Sequence, residues 1–239
     1  MTAGETAAWQ RADIAEEFLH SRQQVLPLID VQEELVRLLF ERRNRPISRF
    51  LDLGSGDGAM SQLMRSAAPQ AEAVLVDFSE PMLARAERRL GGCAGTWQAV
   101  RADLSGPAWR DAVPDGPFDA AVSSYAIHHL TSERKRALFA EVHDLLAPGG
   151  VFVNMDVVKI AGPLDGLFDE RIAAAYSKLA GAHAEHHDSA DLDTFEDSAE
   201  DRPDPLQDQL AWLREAGFEE AELHFKWAEG AVFGAVKPS

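Results

Sequence analysis

The sequence predicts an α/β fold built on a parallel sheet. Three observations carry that reading. From Arg49 onward, short apolar runs alternate with helical stretches, the mark of βαβ units. The first run empties into a glycine cluster, and the second ends in an aspartate, Asp77. Both features belong at the carboxyl edge of an open sheet, where such folds bind ligands.

Taken in order, residues 5–43 read as two helices broken near Pro27, with Phe18, Leu35, Leu38 and Leu39 among the apolar positions. Strands are expected at 50–53, 73–76, 97–100, 120–123, 151–155, 222–226 and 231–236. A helix follows Ser79, with Leu83, Ala86 and Leu90 on one face and Pro81 tolerated in its first turn. Another spans 131–146, where Leu138, Val142 and Leu145 recur at helical spacing. Residues 164–179 suit a helix that runs into an acidic stretch. Between 183 and 205 there are nine acids against a single arginine, the composition of a lid or a disordered excursion. The organisation is therefore a helical cap over 1–45 and one domain over 46–239, with an acidic insertion at about 161–205. No internal repeat is visible.

Composition narrows the partners. Hydrophobic residues at 46% and charged residues at 26% suit a globular core. No apolar run reaches the roughly 18 residues of a membrane span. The first residues, MTAGETAAWQRADIAEEF, lack the basic and apolar regions of a secretory signal. A single cysteine, Cys93, excludes an internal disulfide framework, so the cytoplasm is the expected compartment. With 23 basic and 40 acidic residues the net charge is −17, which repels nucleic acid and anionic membranes alike. The basic stretches Arg42-Arg43-Asn44-Arg45, Arg85 to Arg89 and Arg134-Lys135-Arg136 read as solvated helix faces or ends.

The glycine loop, LDLGSGDGA, is ambiguous in isolation. Gly54-x-Gly56-x-x-Ala59 also fits a dinucleotide fingerprint. Charge separates the two readings. A pyrophosphate wants positive potential at the helix N-terminus, whereas this loop carries Asp52 and Asp57. An S-adenosyl ligand has no phosphate; it offers a sulfonium, an ammonium and a ribose diol. Asp77, closing the second strand, can accept hydrogen bonds from both ribose hydroxyls. As a helix N-cap it would be less well placed than Ser79. Phe78 and Met82 would sandwich the adenine, or simply pack in the core. Asp103, after the third strand, would accept from the adenine amino group or serve as a turn residue.

Laid out in order, LDLGSGDGAMSQLM, VLVDFSEPMLARAERRL, RADL, FDAAVSSYAIHHL and LLAPGGVFVNMD resemble the class I methyltransferases of the ubiquinone-biosynthesis-like type. The tail QLAWLREAGFEEAELHFKWAEGAVFGAVKP resembles that family's last helix and closing hairpin. The resemblance covers about 46–160 and 206–238. It implies a Rossmann-like, doubly wound, seven-stranded sheet with its last strand antiparallel. S-adenosyl-L-methionine is the implied methyl donor and S-adenosyl-L-homocysteine the product. By position it implies that Gly54, Gly56, Asp77, Phe78, Met82, Asp103 and Leu104 line the cofactor site, with Asp52, Ser55 and Ala102 beside them. Ser123 or Ser124 would meet the methionine moiety, His128 the cofactor pocket, and Arg22 the cofactor carboxylate. The 183–205 region is longer and more acidic than the family pattern, so it withholds the acceptor.

Methyl transfer needs a general base only where the acceptor must lose a proton. Three places could face an acceptor. Tyr125 and His128, in Tyr125-Ala126-Ile127-His128-His129 after the fourth strand, offer an imidazole near neutral pH. Asp156, at the end of the fifth strand, could orient an amine or hydroxyl, or cap a turn. His183, His186, His187 and Asp188 have metal-ligand spacing but also suit a solvated helix end, so no resident metal is expected. The N-terminal helices would lie over the crevice and exclude water. The function expected is methyl transfer to a small-molecule acceptor by a monomer or homodimer. Two alternatives stay open, an NAD(P)-dependent oxidoreductase and a non-catalytic adenosyl-ligand-binding protein. A Tyr-x-x-x-Lys pair and a second nucleotide-binding half are missing for the former. A carboxy-S-adenosyl-methionine synthase finds no basic pocket signature.

Overall fold

The computed structural model describes residues 26–183 and 201–239, with backbone alone for 176–183. Seven strands form one sheet in the order β3-β2-β1-β4-β5-β7-β6. They are β1 (Arg49–Leu53), β2 (Glu72–Asp77), β3 (Trp97–Arg101), β4 (Phe118–Ser124), β5 (Leu146–Val157), β6 (Glu219–Trp227) and β7 (Gly230–Val236). β1 to β5 pair in parallel, and β7 runs antiparallel to both β5 and β6. Every expected strand is present. The largest difference is β5, which starts at Leu146 rather than at 151. It continues through Pro148-Gly149-Gly150 across a register shift opposite Phe118/Ala120, and that irregularity hides its first residues from a period-2 reading.

The central strands are buried on both sides, so their side chains divide between two apolar layers. One layer joins Leu51, Leu53, Val74 and Val76 to α5 (Ser132–Leu145), α7 (Leu206–Glu215) and the short α4 (Trp109–Ala112). The other joins Phe50, Ala73 and Leu75 to α1 (Ile29–Glu41), α2 (Ala59–Ala67) and α3 (Glu80–Leu90). Phe168 of α6 (Leu167–His183) closes that second layer. Ile29, Val36 and Phe40 of α1 lie in the same cluster as the strands, so α1 shares the domain's core across the boundary expected at residue 45. Gln32 ties it down further, donating to Pro27 O at 3.1 Å and accepting from Tyr125 Oη at 3.1 Å.

One sequence expectation needs correcting. Arg134-Lys135-Arg136 is not wholly a solvated face, because Lys135 is fully buried. It stands one turn before Leu138 and Phe139, on the apolar stripe of α5. Its Nζ donates to Arg202 O and, at 2.7 Å, to Asp204 Oδ2, so the charge is matched inside the protein. Among the described residues, no helix is long and apolar enough to cross a membrane.

Candidate functional site

The order of the sheet reverses between β1 and β4, and the loops after these strands meet at the carboxyl edge. The loop after β1 turns through Gly54, Gly56 and Gly58, all at positive φ, before α2 begins at Ala59. Gly54 is forced by contact, since a Cβ there would lie 2.3 Å from Ala126 Cβ on the loop after β4. Gly56 is different. A Cβ on it would meet nothing within 4 Å, so its backbone faces open space from which a ligand can approach. Beside it, the Ser55 hydroxyl is buried and has no hydrogen-bond partner among the described residues.

Asp77 closes β2 and reaches this loop. Gly56 N–H donates to its Oδ2 at 2.8 Å and Ser79 N–H to its Oδ1 at 2.8 Å. Burial pushes its carboxyl above the ordinary value, opposed by the N–H groups of Ser79, Gly56 and Phe78. Both oxygens keep lone pairs for further donors, which a ribose diol can supply. Ser79 caps α3, its Oγ accepting from Met82 N–H at 3.4 Å, so Asp77 is spared that duty. Phe78 is half-buried and Met82 buried.

Asp52 is fully buried and accepts from Ser61 Oγ at 2.6 Å. Asp57 forms an ion pair with Arg89, which also donates to Asp57 O at 3.0 Å. Its charge is thus balanced locally, and the electrostatic case against a pyrophosphate rests on Asp52; an acid at the position of Asp77 suits the ribose of either ligand. Asp103 is exposed, its Oδ1 accepting from Ser105 N–H at 2.8 Å as a turn residue does, while Leu104 is buried and Ala102 half-buried. Ser123 donates to Leu53 O at 2.8 Å, bracing β4 against β1. Ser124 follows at the strand end, half-buried. Arg22, His186, His187 and Asp188 lie outside the described residues, as does the side chain of His183.

Past β4 the chain makes a sharp turn. Tyr125 has φ 50°, sits within 6.2 Å of the Phe168 ring and donates to Gln32. A single 3-10 turn, Ile127–His129, then carries two histidines. Asp156 at the end of β5 grips the first of them twice. Its Oδ1 lies 2.5 Å from His128 Nδ1, and its Oδ2 accepts from His128 N–H at 3.0 Å. On the other side, His128 Nε2 lies 3.5 Å and His129 Nδ1 2.9 Å from Asp201 Oδ1. Burial disfavours a charged His128, yet Asp156 and Asp201 outweigh it and hold the ring's pKa up at about 10. Burial pushes Asp201 up as well, but its bonds to His128 and His129 carry it well below the carboxylate range. His129 is pushed down by burial and by the neighbouring His128.

Sequence reasoning brought together Gly54, Gly56, Asp77, His128 and Asp156, and the structure gathers these at one sheet edge. It missed His129 as a partner and Asp201 altogether. Asp201 is one acid among nine in a polar stretch, and nothing local marks it as the one that folds back onto the histidines.

Residues 50–150 match the family described as "Methyltransferase domain". A demethylmenaquinone methyltransferase of Clavibacter sepedonicus is 31% identical over 216 residues, 87% of this chain and 81% of that protein. A carboxy-S-adenosyl-L-methionine synthase of Aeromonas hydrophila is 27% identical over 85% of this chain and 80% of its own length. The demethylmenaquinone methyltransferase of Thermus thermophilus is 34% identical over 121 residues, and the chain spans only 50% of that relative. Sequence likeness over nearly the whole chain coincides with the strand order, the glycine loop and the buried acid after β2. The chain belongs to the class I S-adenosyl-methionine-dependent methyltransferases.

Proposed function

We propose that this protein transfers the methyl group of S-adenosyl-methionine to a small-molecule acceptor by in-line displacement. The observation that carries the reading is the carboxyl-edge crevice beside Gly56, where open backbone adjoins the buried carboxylate of Asp77, which keeps lone pairs to spare. A cationic ligand with a ribose diol suits that crevice, because it adds donors and positive charge beside acids already out of water. Held there, S-adenosyl-methionine would supply an electrophilic methyl group on a sulfonium, which is a good leaving group.

The chain's own residues bind, orient and exclude water. Asp77 holds the ribose, the Gly54–Gly58 loop admits the ligand backbone-first, and Phe78 and Met82 pack the adenine. Tyr125 and Asp156 stand at the ends of β4 and β5, where an acceptor would approach. Two features support a small molecule. The net charge of −17 disfavours nucleic acid, and the related demethylmenaquinone methyltransferases are named for a small acceptor. A carboxylated donor, as the synthase relative is named for, fits less well beside Asp52 and Asp77.

Calorimetric titration of S-adenosyl-homocysteine tests the reading, with NADH in parallel. The wild type should bind the homocysteine ligand alone. Asp77→Ala should weaken it by about 100-fold or more, given two hydrogen bonds to a charged acceptor at about 1.5–3 kcal/mol each. An NADH isotherm without one for the homocysteine ligand would move the protein to hydride transfer. Ligand binding without any methylated product across a panel of oxygen, nitrogen, sulfur and carbon nucleophiles would make it a binding protein.

A further inference from the structure

We infer that His128, His129 and Asp201 form a binding site for a divalent transition metal of the zinc class. The donor atoms, one from each residue, all lie within 4.8 Å of one another. A tetrahedral centre with bonds of about 2.1 Å sets its donors about 3.4 Å apart. The separations here, 3.5 Å from His128 Nε2 and 2.9 Å from His129 Nδ1 to Asp201 Oδ1, bracket that edge. Adjacent residues seldom point the same way, but the 3-10 turn brings the two rings to 4.0 Å between centroids.

The surroundings are those of a ligand set rather than a chance ion pair. Asp156 engages His128 at Nδ1, which leaves Nε2 as the metal-facing nitrogen, in the carboxylate–histidine–metal arrangement that fixes the tautomer. Asp201 is also held in place from outside its side chain. The next residue donates its N–H to His128 O at 3.0 Å, and its carbonyl accepts from buried Lys135. Charge points the same way. Asp156 and Asp201 together match a dication bound by neutral imidazoles. Three protein donors leave one tetrahedral position open, the pattern of catalytic rather than closed structural zinc. The proposal is independent of the acceptor's identity.

The test is Co2+ titration of chelator-treated, tag-free full chain, read by visible d–d absorption, with Zn2+ added afterwards as competitor. We expect one equivalent of tetrahedral Co2+, bleached by Zn2+. His129→Ala and Asp201→Ala should abolish the band, and Asp156→Asn should weaken affinity by about 10- to 100-fold. Circular dichroism on the same samples shows that each variant is folded, and calorimetry with S-adenosyl-homocysteine reads the cofactor site independently, so failure of the metal site and failure of the cofactor reading are separable. No stoichiometric band in the wild type overturns the proposal. So does a band that survives in His129→Ala but disappears in a His186→Ala/His187→Ala double variant, which would place the metal elsewhere.

Discussion

At the scale of single residues, two glycines that the sequence pattern cannot distinguish have separable duties. Gly54 and Gly56 share the same loop and both have positive φ, 66° and 51°. An alanine at Gly54 would drive its Cβ into Ala126, so strain and overpacking combine, and we expect about 2 kcal/mol or more of lost stability. An alanine at Gly56 meets no neighbour, so only the left-handed backbone cost of about 1–2 kcal/mol remains. Its methyl group would instead occupy the ligand's approach, and S-adenosyl-homocysteine affinity should fall about tenfold or more. Urea denaturation beside calorimetry reads the two quantities separately. Equal losses of stability with unchanged affinity in Gly56→Ala would mean that the ligand does not pass that face. The sequence shows that glycine is needed at both positions; it cannot show which one packs against a loop seventy residues away. Asp57 and Asp103 teach the same lesson. Both are acids at the expected places, and the sequence does not show that Asp57 pairs with Arg89 or that Asp103 Oδ1 accepts from Ser105 N–H.

At the scale of elements, the strands were legible because parallel sheet strands buried on both faces read as short apolar runs. The sheet's order followed from the family resemblance rather than from those runs. What escaped was every feature set by a distant partner. Lys135 illustrates why: its charge reads as solvent-facing, while its phase with Leu138, Phe139 and Val142 places it on the buried stripe of α5. Phase outranks charge when a partner is available inside, and Asp204 supplies one at 2.7 Å. The pair fastens α5 to the segment entering α7 (Leu206–Glu215), where Ser132 Oγ and Lys159 N–H also bond Asp204. Lys135→Ala would strand Asp204 without its cation and open a void under the helix. We expect a loss of about 3–5 kcal/mol, seen as a lower urea midpoint at unchanged slope. Arg136→Ala, an exposed neighbour paired with Glu215, serves as the control and should cost no more than about 1 kcal/mol. Similar losses in both variants would show that the buried pair contributes nothing special.

At the scale of the whole molecule, charge rather than topology sets the behaviour. A net charge of −17 on 239 residues repels itself in the folded state and less so in an expanded chain. Exposed pairs such as Arg101–Glu80 and Arg136–Glu215 oppose that repulsion, but each contributes only about 0–1 kcal/mol and salt screens them too. The buried pairs, Lys135 with Asp204 and His128 with Asp156, lie out of reach of mobile ions. Screening therefore relieves more repulsion than attraction. Raising sodium chloride from 10 to 150 mM shortens the Debye length from about 30 to about 8 Å, less than the distance across the domain. We expect the melting temperature to rise, by about 2–4 °C for each kcal/mol of repulsion relieved. Sodium chloride is the salt of choice because sulfate would add its own exclusion effect. A melting temperature that falls over this range would mean that exposed ion pairs outweigh the net charge, and it would reverse the ranking of forces drawn here.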